Sequence, residues 1–519
     1  MSDLIAISRR EFVRRASHGT SALLAGMPAV FAANSATAPA MPSGVASGDV
    51  TADGAVIWSR SDRPARMIVE VATDERFRRF DRITGPAGLS QSDFTAKLQL
   101  SGLPAGSPIY YRVQFQDLAD PRRFSEPATG LFRTAPQSNR NITFAWSGDT
   151  AGQGYGIDRA RGGMRTYETL RKLAPDFFVH SGDHIYADDP FQPTLELDDG
   201  TEWSNIVTQE TSKAAETLSE FHANYRYNLL DEHVRAFNAA VPMLAQWDDH
   251  ETTNNWYPGE QLLGNDRYSI KSASLLAARG QRAFFDYMPL RPRGPSGERI
   301  YRSVPYGPSL ELFFLDMRSY RGPNTENRQT ASGDETALLG RRQLDWLKQK
   351  MAASRATWKV VCSDLPLGLV VADRSNAFEA VANGDGPALG RELEIAELLQ
   401  HLRAAEVHNV IWLTADVHYA ASHYYDPKQA RFRDFEPFWE FVSGPLHAGT
   451  FGPGRLDDTF GPQQRFCSVP DGMRPNRPPS DGLQFFGVVH IDGPSEVMTV
   501  THHNVAGEKL WSIDLEPQT

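Results

Sequence analysis

The alternation of apolar and polar positions changes character at about Thr134. From Pro42 to that point, short segments are punctuated by Gly, Pro and Asp: Gly54–Arg60, Ala65–Asp74, Phe94–Phe115 and Ala128–Thr134. Period-two alternation of this kind marks half-buried antiparallel strands, so this part predicts a small all-β sandwich. After the polar connector Ala135–Asn141, apolar runs of strand length alternate with helical patterns. The predicted strands are Ile142–Trp146, Phe177–His180, Met243–Trp247, Leu310–Leu315, Trp358–Cys362 and Val410–Leu413. Met164–Leu173, Thr336–Met351 and Arg391–Ala405 carry apolar residues at helical spacing. Strands alternating with helices predict an α/β layered domain.

Between Asp189 and Ala240 an acidic, aromatic and helical stretch interrupts the alternation, and is expected to be an insertion or lid over one end of the sheet. Its aromatic stripe, Phe221 to Phe237, is expected to be a packed helix face. The C-terminal runs return to strand-like alternation, which suggests a second sheet packed on the first. Tyr110 to Val113, after a Leu-Pro-Gly turn, resembles a fibronectin-type or immunoglobulin-like module. The expected division is therefore a β module over 41–135 and a larger domain over 141–519, with the insertion at 190–240.

Residues 1–40 stand apart. Arg9 and Arg10, between Ser8 and Phe12, precede a weakly apolar run and small residues. This resembles a twin-arginine export signal, which implies passage through that machinery to the periplasm or beyond. No other apolar run approaches the ~20 residues of a membrane span.

Composition removes some function classes. The net charge of −11 over 519 residues gives no basic footprint for nucleic acid. Two cysteines, Cys362 and Cys467, exclude a thiolate-rich zinc site and allow at most one bridge.

The chemistry lies where the strands stop. Asp149 follows the first strand and Asp183 the second, each in a Ser-Gly-Asp; Asp248, Asp249, His250, Glu251, Asn254 and Asn255 follow the third. Asp316, Arg318 and Arg321 follow the fourth, and Asp416, His418 and His423 the last. These loops are expected to leave the same end of one sheet, where open α/β folds bind ligands. Carboxylates gathered there repel unless cations join them. Carboxylate, amide and imidazole donors without thiolate suit two hard or borderline ions bridged by a shared aspartate, with Asp183 in that place. Tyr186, three residues on, adds a phenol; a tyrosinate is a hard anionic donor that favours Fe(III). Water held by such an ion supplies hydroxide at neutral pH, the nucleophile that a phosphorus centre requires.

SGDT, SGDHIY, WDDHETTNNW, LDMRSYR and TADVHYAASH, in this order, resemble the PhoD-type alkaline phosphatases and phosphodiesterases of the calcineurin-like metallophosphoesterase superfamily. The Gly-Asp-x-x-Tyr element is also similar to that of purple acid phosphatases. The resemblance implies a four-layer α/β/β/α domain and an alkaline phosphatase activity. It also implies a binuclear or larger metal centre of Fe(III) with Ca(II) or another divalent ion. Carried over by position, it puts Asp149, Asp183, Tyr186, Asn254, Asp416 and His418 in or beside the metal shell, with Asp249 and His250 as a catalytic pair. It leaves open whether Asp249 or Asn254 supplies the remaining ligand. Asp149 departs from the family pattern, which often has cysteine there.

His423 is a further catalytic candidate, and Arg318 is expected to pair with phosphate oxygens. The substrate is then a phosphate ester, with phosphomonoesters first and phosphodiesters, including lipid headgroups, second. An exported binding protein with structural metals is the reading from another class. His502 and His503, in a strand-like run, are expected at the surface.

Overall fold

The computed structural model describes residues 37–292, 299–374 and 376–518. The export-signal expectation lies outside them. Among the described residues, no helix is long and apolar enough to cross a membrane.

Two large sheets lie face to face. The first has nine strands in the order Lys509–Leu515, Met498–Asn504, Phe485–Ile491, Ile142–Ser147, Phe177–His180, Met243–Ala245, Val45–Gly48, Ala55–Arg60 and Thr95–Leu100. Its centre is parallel, Ile142–Ser147 beside Phe177–His180 beside Met243–Ala245. The second has seven strands, with Leu310–Phe314, Trp358–Cys362, Val410–Thr414 and Phe438–Val442 running parallel. Phe177–His180 and Trp358–Cys362 match the sequence expectation residue for residue; apart from His180 and Lys359 they are apolar, as strands buried on both faces are.

The side chains between the sheets form one core that includes Phe144, Trp146, Val179, Leu312, Phe314, Val360, Leu413 and Phe441. Helices cover both outer faces, as a parallel sheet requires. Against the nine-stranded sheet lie Arg165–Leu173, Leu218–Asn228, Glu232–Ala240 and Ala273–Tyr287, whose buried residues share a cluster with Phe178 and Ala245. Arg341–Ala353 and Glu392–Ala404 cover the other sheet through Leu344, Leu347, Ile395 and Leu399. The layers are therefore α/β/β/α.

The 190–240 stretch contributes to this wall. Thr217 and Glu220 form a capping box that starts Leu218–Asn228, and the Asp231 carboxylate caps Glu232–Ala240. Phe221, Tyr225 and Phe237 are buried, so the aromatic stripe is a packed face. The N-terminal all-β part divides its strands. Asp81–Gly88, Ala65–Ala72, Pro108–Asp117 and Ala128–Arg133 make a separate four-stranded sheet, whereas Val45–Gly48, Ala55–Arg60 and Thr95–Leu100 extend the nine-stranded one. The join is a parallel pairing of Gly48 with Met243. The C-terminal strands likewise split between sheets, Phe438–Val442 entering the second and the last three pairing outward from Ile142–Ser147 in the first.

Candidate metal centre

Strand ends from both sheets meet at one place. Asp149, Asp183, Asp416 and His418 all turn into the left-handed backbone region, at φ of 67°, 52°, 67° and 60°. For residues with a Cβ this costs ~1–2 kcal/mol each, and such strain gathers at functional sites. The glycines before the aspartates have a packing reason. Gly182 sits at φ 118°, and a Cβ there would lie 2.4 Å from Cβ of Asp248. At Gly148 a Cβ would lie 2.9 Å from Cβ of Ala415.

Three groups of side chains each bring one ligand atom per residue within 4.8 Å of the others: Asp149, Asp183 and His418; Asp183, Asp249 and His250; Asp248, Asp249 and Asp416. Asp183 belongs to the first two and Asp249 to the last two, so the groups form a chain. All are buried except Asp416, whose side chain keeps 14% of its surface. The donor set fits hard or borderline cations. His418 donates from Nδ1 to the Gly449 carbonyl, which leaves the Nε2 lone pair facing Asp149 Oδ1 at 3.2 Å and the Tyr186 hydroxyl at 2.8 Å. Fixing one ring nitrogen on a carbonyl is how metal-binding histidines are held. Asp149 Oδ2 and Asp249 Oδ1 are buried without a donor, which an apolar interior does not tolerate and a cation satisfies.

The electrostatics agree. Burial, with the charges of Asp249, Glu251 and Asp149, pushes Asp183 well above the usual carboxyl range despite opposition from His250. Burial and the carboxylates of Asp183, Asp149, Asp249 and Asp416 push the Tyr186 phenol well above 10. Without cations the phenol keeps its proton, and a nearby ion reverses that logic. Tyr186 stacks on His250, ring centroids 4.2 Å apart.

His250 is held by a residue outside the expected set. Its Nδ1 lies 2.6 Å from Asp188 Oδ1. Burial disfavours the imidazolium, but Asp188, Asp249 and Asp183 outweigh it and hold His250 well above 6.5. Glu251 braces the loops, its carboxylate accepting the amides of Asp183, His184 and Asp248.

Arg318 corrects the expectation of a phosphate contact. It has no exposed surface. Nε lies 2.6 Å from Asp248 Oδ1 and 3.2 Å from Asp364 Oδ2, Nη1 pairs with Glu379, and Nη2 lies 3.9 Å from Asp249 and from Asp416. Burial opposes the charge, yet Asp248, Glu379, Asp249 and Asp364 hold the guanidinium well above its ordinary value. The fork is filled by carboxylates, so Arg318 is an internal counter-ion beside the acidic groups.

Other expectations also shift. The acidic loops leave two sheets, with Asp149, Asp183 and Asp248 from the first and Asp316 and Asp416 from the second. Asp316 is occupied by the Trp247 indole and by the amides of Arg318 and Ser319. Asn254 is exposed, and its backbone amide, rather than its side chain, is engaged, by Asp188. Asp249 is the member of that alternative inside the groups. His423 joins none of the three; it is buried on Ala421–Tyr425, where its Nδ1 lies 2.9 Å from Glu440, which also accepts the Tyr425 hydroxyl. His502 is buried, 2.9 Å from Ser422 Oγ, because its ring turns into the aromatic layer between the two sheets, against Trp146, Phe441 and Phe466. Cys362 and Cys467 are free thiols.

Asp188, Asp364 and Glu379 were missed as supports of the site. Asp188 had a signal, an acidic pair directly after Ile185-Tyr186-Ala187. Glu379 had none, since it lies in an Ala- and Asn-rich loop.

Comparison with known proteins agrees with this geometry. The PhoD-like phosphatase model matches residues 144–502, and the model of the PhoD-like phosphatase N-terminal domain matches 26–136. Alkaline phosphatase D of Bacillus subtilis (strain 168) is 27% identical over 446 residues, 80% of this chain and 71% of that protein. A solved structure of PhoD superposes with a TM-score of 0.67 at 20% identity, covering 94% of each chain. Purple acid phosphatase PPD1 from yellow lupin (Lupinus luteus) seeds gives 0.55 at 14% identity, over 92% of this chain and 74% of that one. These two show the shared fold. With the family model spanning most of the chain and buried acidic and histidine groups able to hold metal, the chain belongs to the PhoD-like phosphatase family and is a metal-dependent phosphoric ester hydrolase.

Proposed function

We propose that the protein is an exported phosphomonoesterase of the alkaline phosphatase D kind, working through a binuclear metal centre. Asp149, Asp183, Tyr186 and His418 would hold one ion; Asp183 and Asp249 would reach its neighbour, with Asp416 joined to them through Asp249. The observation that carries this reading is the sharing of Asp183 between two ligand groups, the arrangement of a bridging carboxylate. Tyr186 is the donor that selects Fe(III), and the all-oxygen environment of Asp249 and Asp416 suits Ca(II) or another divalent ion. When bound, the ions acidify a water to supply the nucleophile and offset charge on the phosphoryl group.

The chain's own residues do the rest. Asp188 orients His250, whose retained proton serves the departing alcohol oxygen. Arg318 offsets part of the carboxylate repulsion from beneath. In this reading 1–40 is the twin-arginine signal, 41–135 the β module and 141–519 the catalytic domain.

Protein reconstituted with iron and calcium is assayed on p-nitrophenyl phosphate and bis-p-nitrophenyl phosphate in parallel, alongside elemental analysis. Faster turnover of the monoester with two ions per chain is expected. Hydrolysis of neither ester would favour a binding protein with structural metals, and preference for the diester would reverse the substrate assignment.

A further inference from the structure

A cavity of about 230 Å³ lies between the segment 161–166 and His447, and no residue of the three metal-binding groups lines it. Its wall carries Arg161 and Arg165 and no carboxylate. The local sequence, Arg161-Gly162-Gly163-Met164-Arg165-Thr166, leads a glycine pair into the start of a helix, and both glycines take the left-handed backbone, at φ of 90° and 62°. The helix Arg165–Leu173 then begins without a side-chain cap at Met164, which leaves its positive end short of a partner. One acid is close. Asp231 Oδ2 accepts the Met164 amide at 3.1 Å, but its other oxygen is taken by the amides of His233 and Val234, and it does not line the cavity.

Two buried side chains bring unused polar atoms to this wall. Thr166 is 1% exposed, and its hydroxyl makes no hydrogen bond. His447 is 2% exposed; its Nε2 donates to the Gly156 carbonyl at 2.9 Å, which leaves Nδ1 as an acceptor without a partner. The guanidinium of Arg165 is exposed and forms no ion pair, its stem resting over Gly162, where a Cβ would lie 3.2 Å from Cδ of the arginine. Arg161 is partly engaged, with Nε 3.5 Å from Asp158 and Nη2 donating to Thr201 Oγ1 at 2.9 Å and to the Glu202 carbonyl at 3.1 Å, so Nη1 remains.

An unpaired guanidinium, an uncapped helix start and a buried hydroxyl together suit an oxyanion. An imidazole nitrogen that accepts suits an oxyanion that still carries a proton. Hydrogen phosphate meets both conditions, whereas sulfate at neutral pH has no proton to give.

We infer that the cavity bounded by Arg165, Thr166 and His447 is a second phosphate-binding site, separate from the metal centre. Arg165 and Thr166 donate to the phosphate oxygens, Arg161 adds charge, and the P–OH group donates to His447 Nδ1. The site is tied to the loop that carries Asp149. The His447 amide donates to the Asp149 carbonyl at 3.0 Å, its carbonyl accepts the Ala151 amide at 2.6 Å, and the hydroxyl of Tyr167, next to Thr166, lies 2.7 Å from Thr150 Oγ1. Phosphate is also the product of the monoester reaction proposed above, but the site does not rest on that reading.

The test is equilibrium dialysis of metal-loaded protein against radiolabelled inorganic phosphate, for the wild type, Arg165→Ala and Thr166→Val. The wild type should bind two phosphates per chain, one at the metals and one here. In both variants one of the two should weaken, ~10-fold or more for Arg165→Ala, with p-nitrophenyl phosphate turnover retained. If the metal centre takes up no phosphate, the wild type binds one and Arg165→Ala loses it, so the site is judged apart from the phosphatase reading. Identical binding by the three proteins overturns the site, and sulfate competing as well as phosphate overturns the choice of ligand. Crystals of the wild type soaked in arsenate give an independent answer. An anomalous peak beside Arg165 and Thr166 upholds the site, and its absence while arsenate occupies the metal centre refutes it.

Discussion

Asp188 Oδ1 lies 2.6 Å from Nδ1 of His250, while its other oxygen accepts the Asn254 amide at 2.9 Å. The contact fixes the ring's orientation and keeps it charged. Asp188→Asn preserves the shape and removes the charge, so kcat should fall ~10–100-fold, the usual cost of losing such an orienting carboxylate. KM should stay close to that of the wild type. With Asp188 gone, His250 gives up its proton at lower pH, so the alkaline limb of the kcat profile should move down. An unchanged profile would remove His250 from the proton-transfer role.

Arg318 is wrapped by Asp248, Asp364 and Glu379. Arg318→Met leaves three buried carboxylates without their counter-ion, at a cost of ~3–5 kcal/mol to the metal-free protein. Urea unfolding would measure it. A stable variant whose only defect is a raised KM would restore the phosphate-binding role.

Removing the metals should make stability depend on pH in a definite direction. Burial first, then neighbouring carboxylates, raise Asp183 and Asp416 far above their unfolded values, and burial and Asp364 raise Asp248 against the pull of Arg318. Acids whose folded pKa is raised bind more protons in the fold, so their contribution favours the fold at low pH. Stability is therefore lost as pH rises from ~4 toward the raised values. Melting temperatures of chelated protein should fall over that range, and reconstituted protein should not follow. Parallel curves would mean that the carboxylates are not metal ligands.

Tyr186 meets Asp149 and His418 through its hydroxyl and His250 through its ring. Tyr186→Phe keeps the ring stacking, so the fold should survive. In iron-loaded protein the variant should lose the visible tyrosinate-to-iron charge-transfer band. A band of undiminished intensity would place the phenol outside the iron shell.

Part of this protein could be read directly from its residue order. Phe177–His180 and Trp358–Cys362 are apolar at every buried position but His180, and local pattern is enough to define such strands. Asp149, Asp183, Asp416 and His418 were visible as polar residues just after the runs Ile142–Trp146, Phe177–His180 and Val410–Leu413, and Tyr186 by its spacing from Asp183. Partners distant in the chain were not visible. Arg318 meets Asp248 across 70 positions and Glu379 across 61, so no local pattern distinguishes an internal counter-ion from a phosphate clamp. His502 appeared exposed because polar neighbours surround it in sequence, but its ring packs on Phe441 and Phe466 of the opposite sheet. The sequence by itself determined which strands form and what chemistry stands at their ends, because burial and turn preference act over a few residues. Which sheet each strand entered, and which charges came to neutralise one another, was decided by tertiary structure, because pairing and desolvation act between segments that only folding brings together.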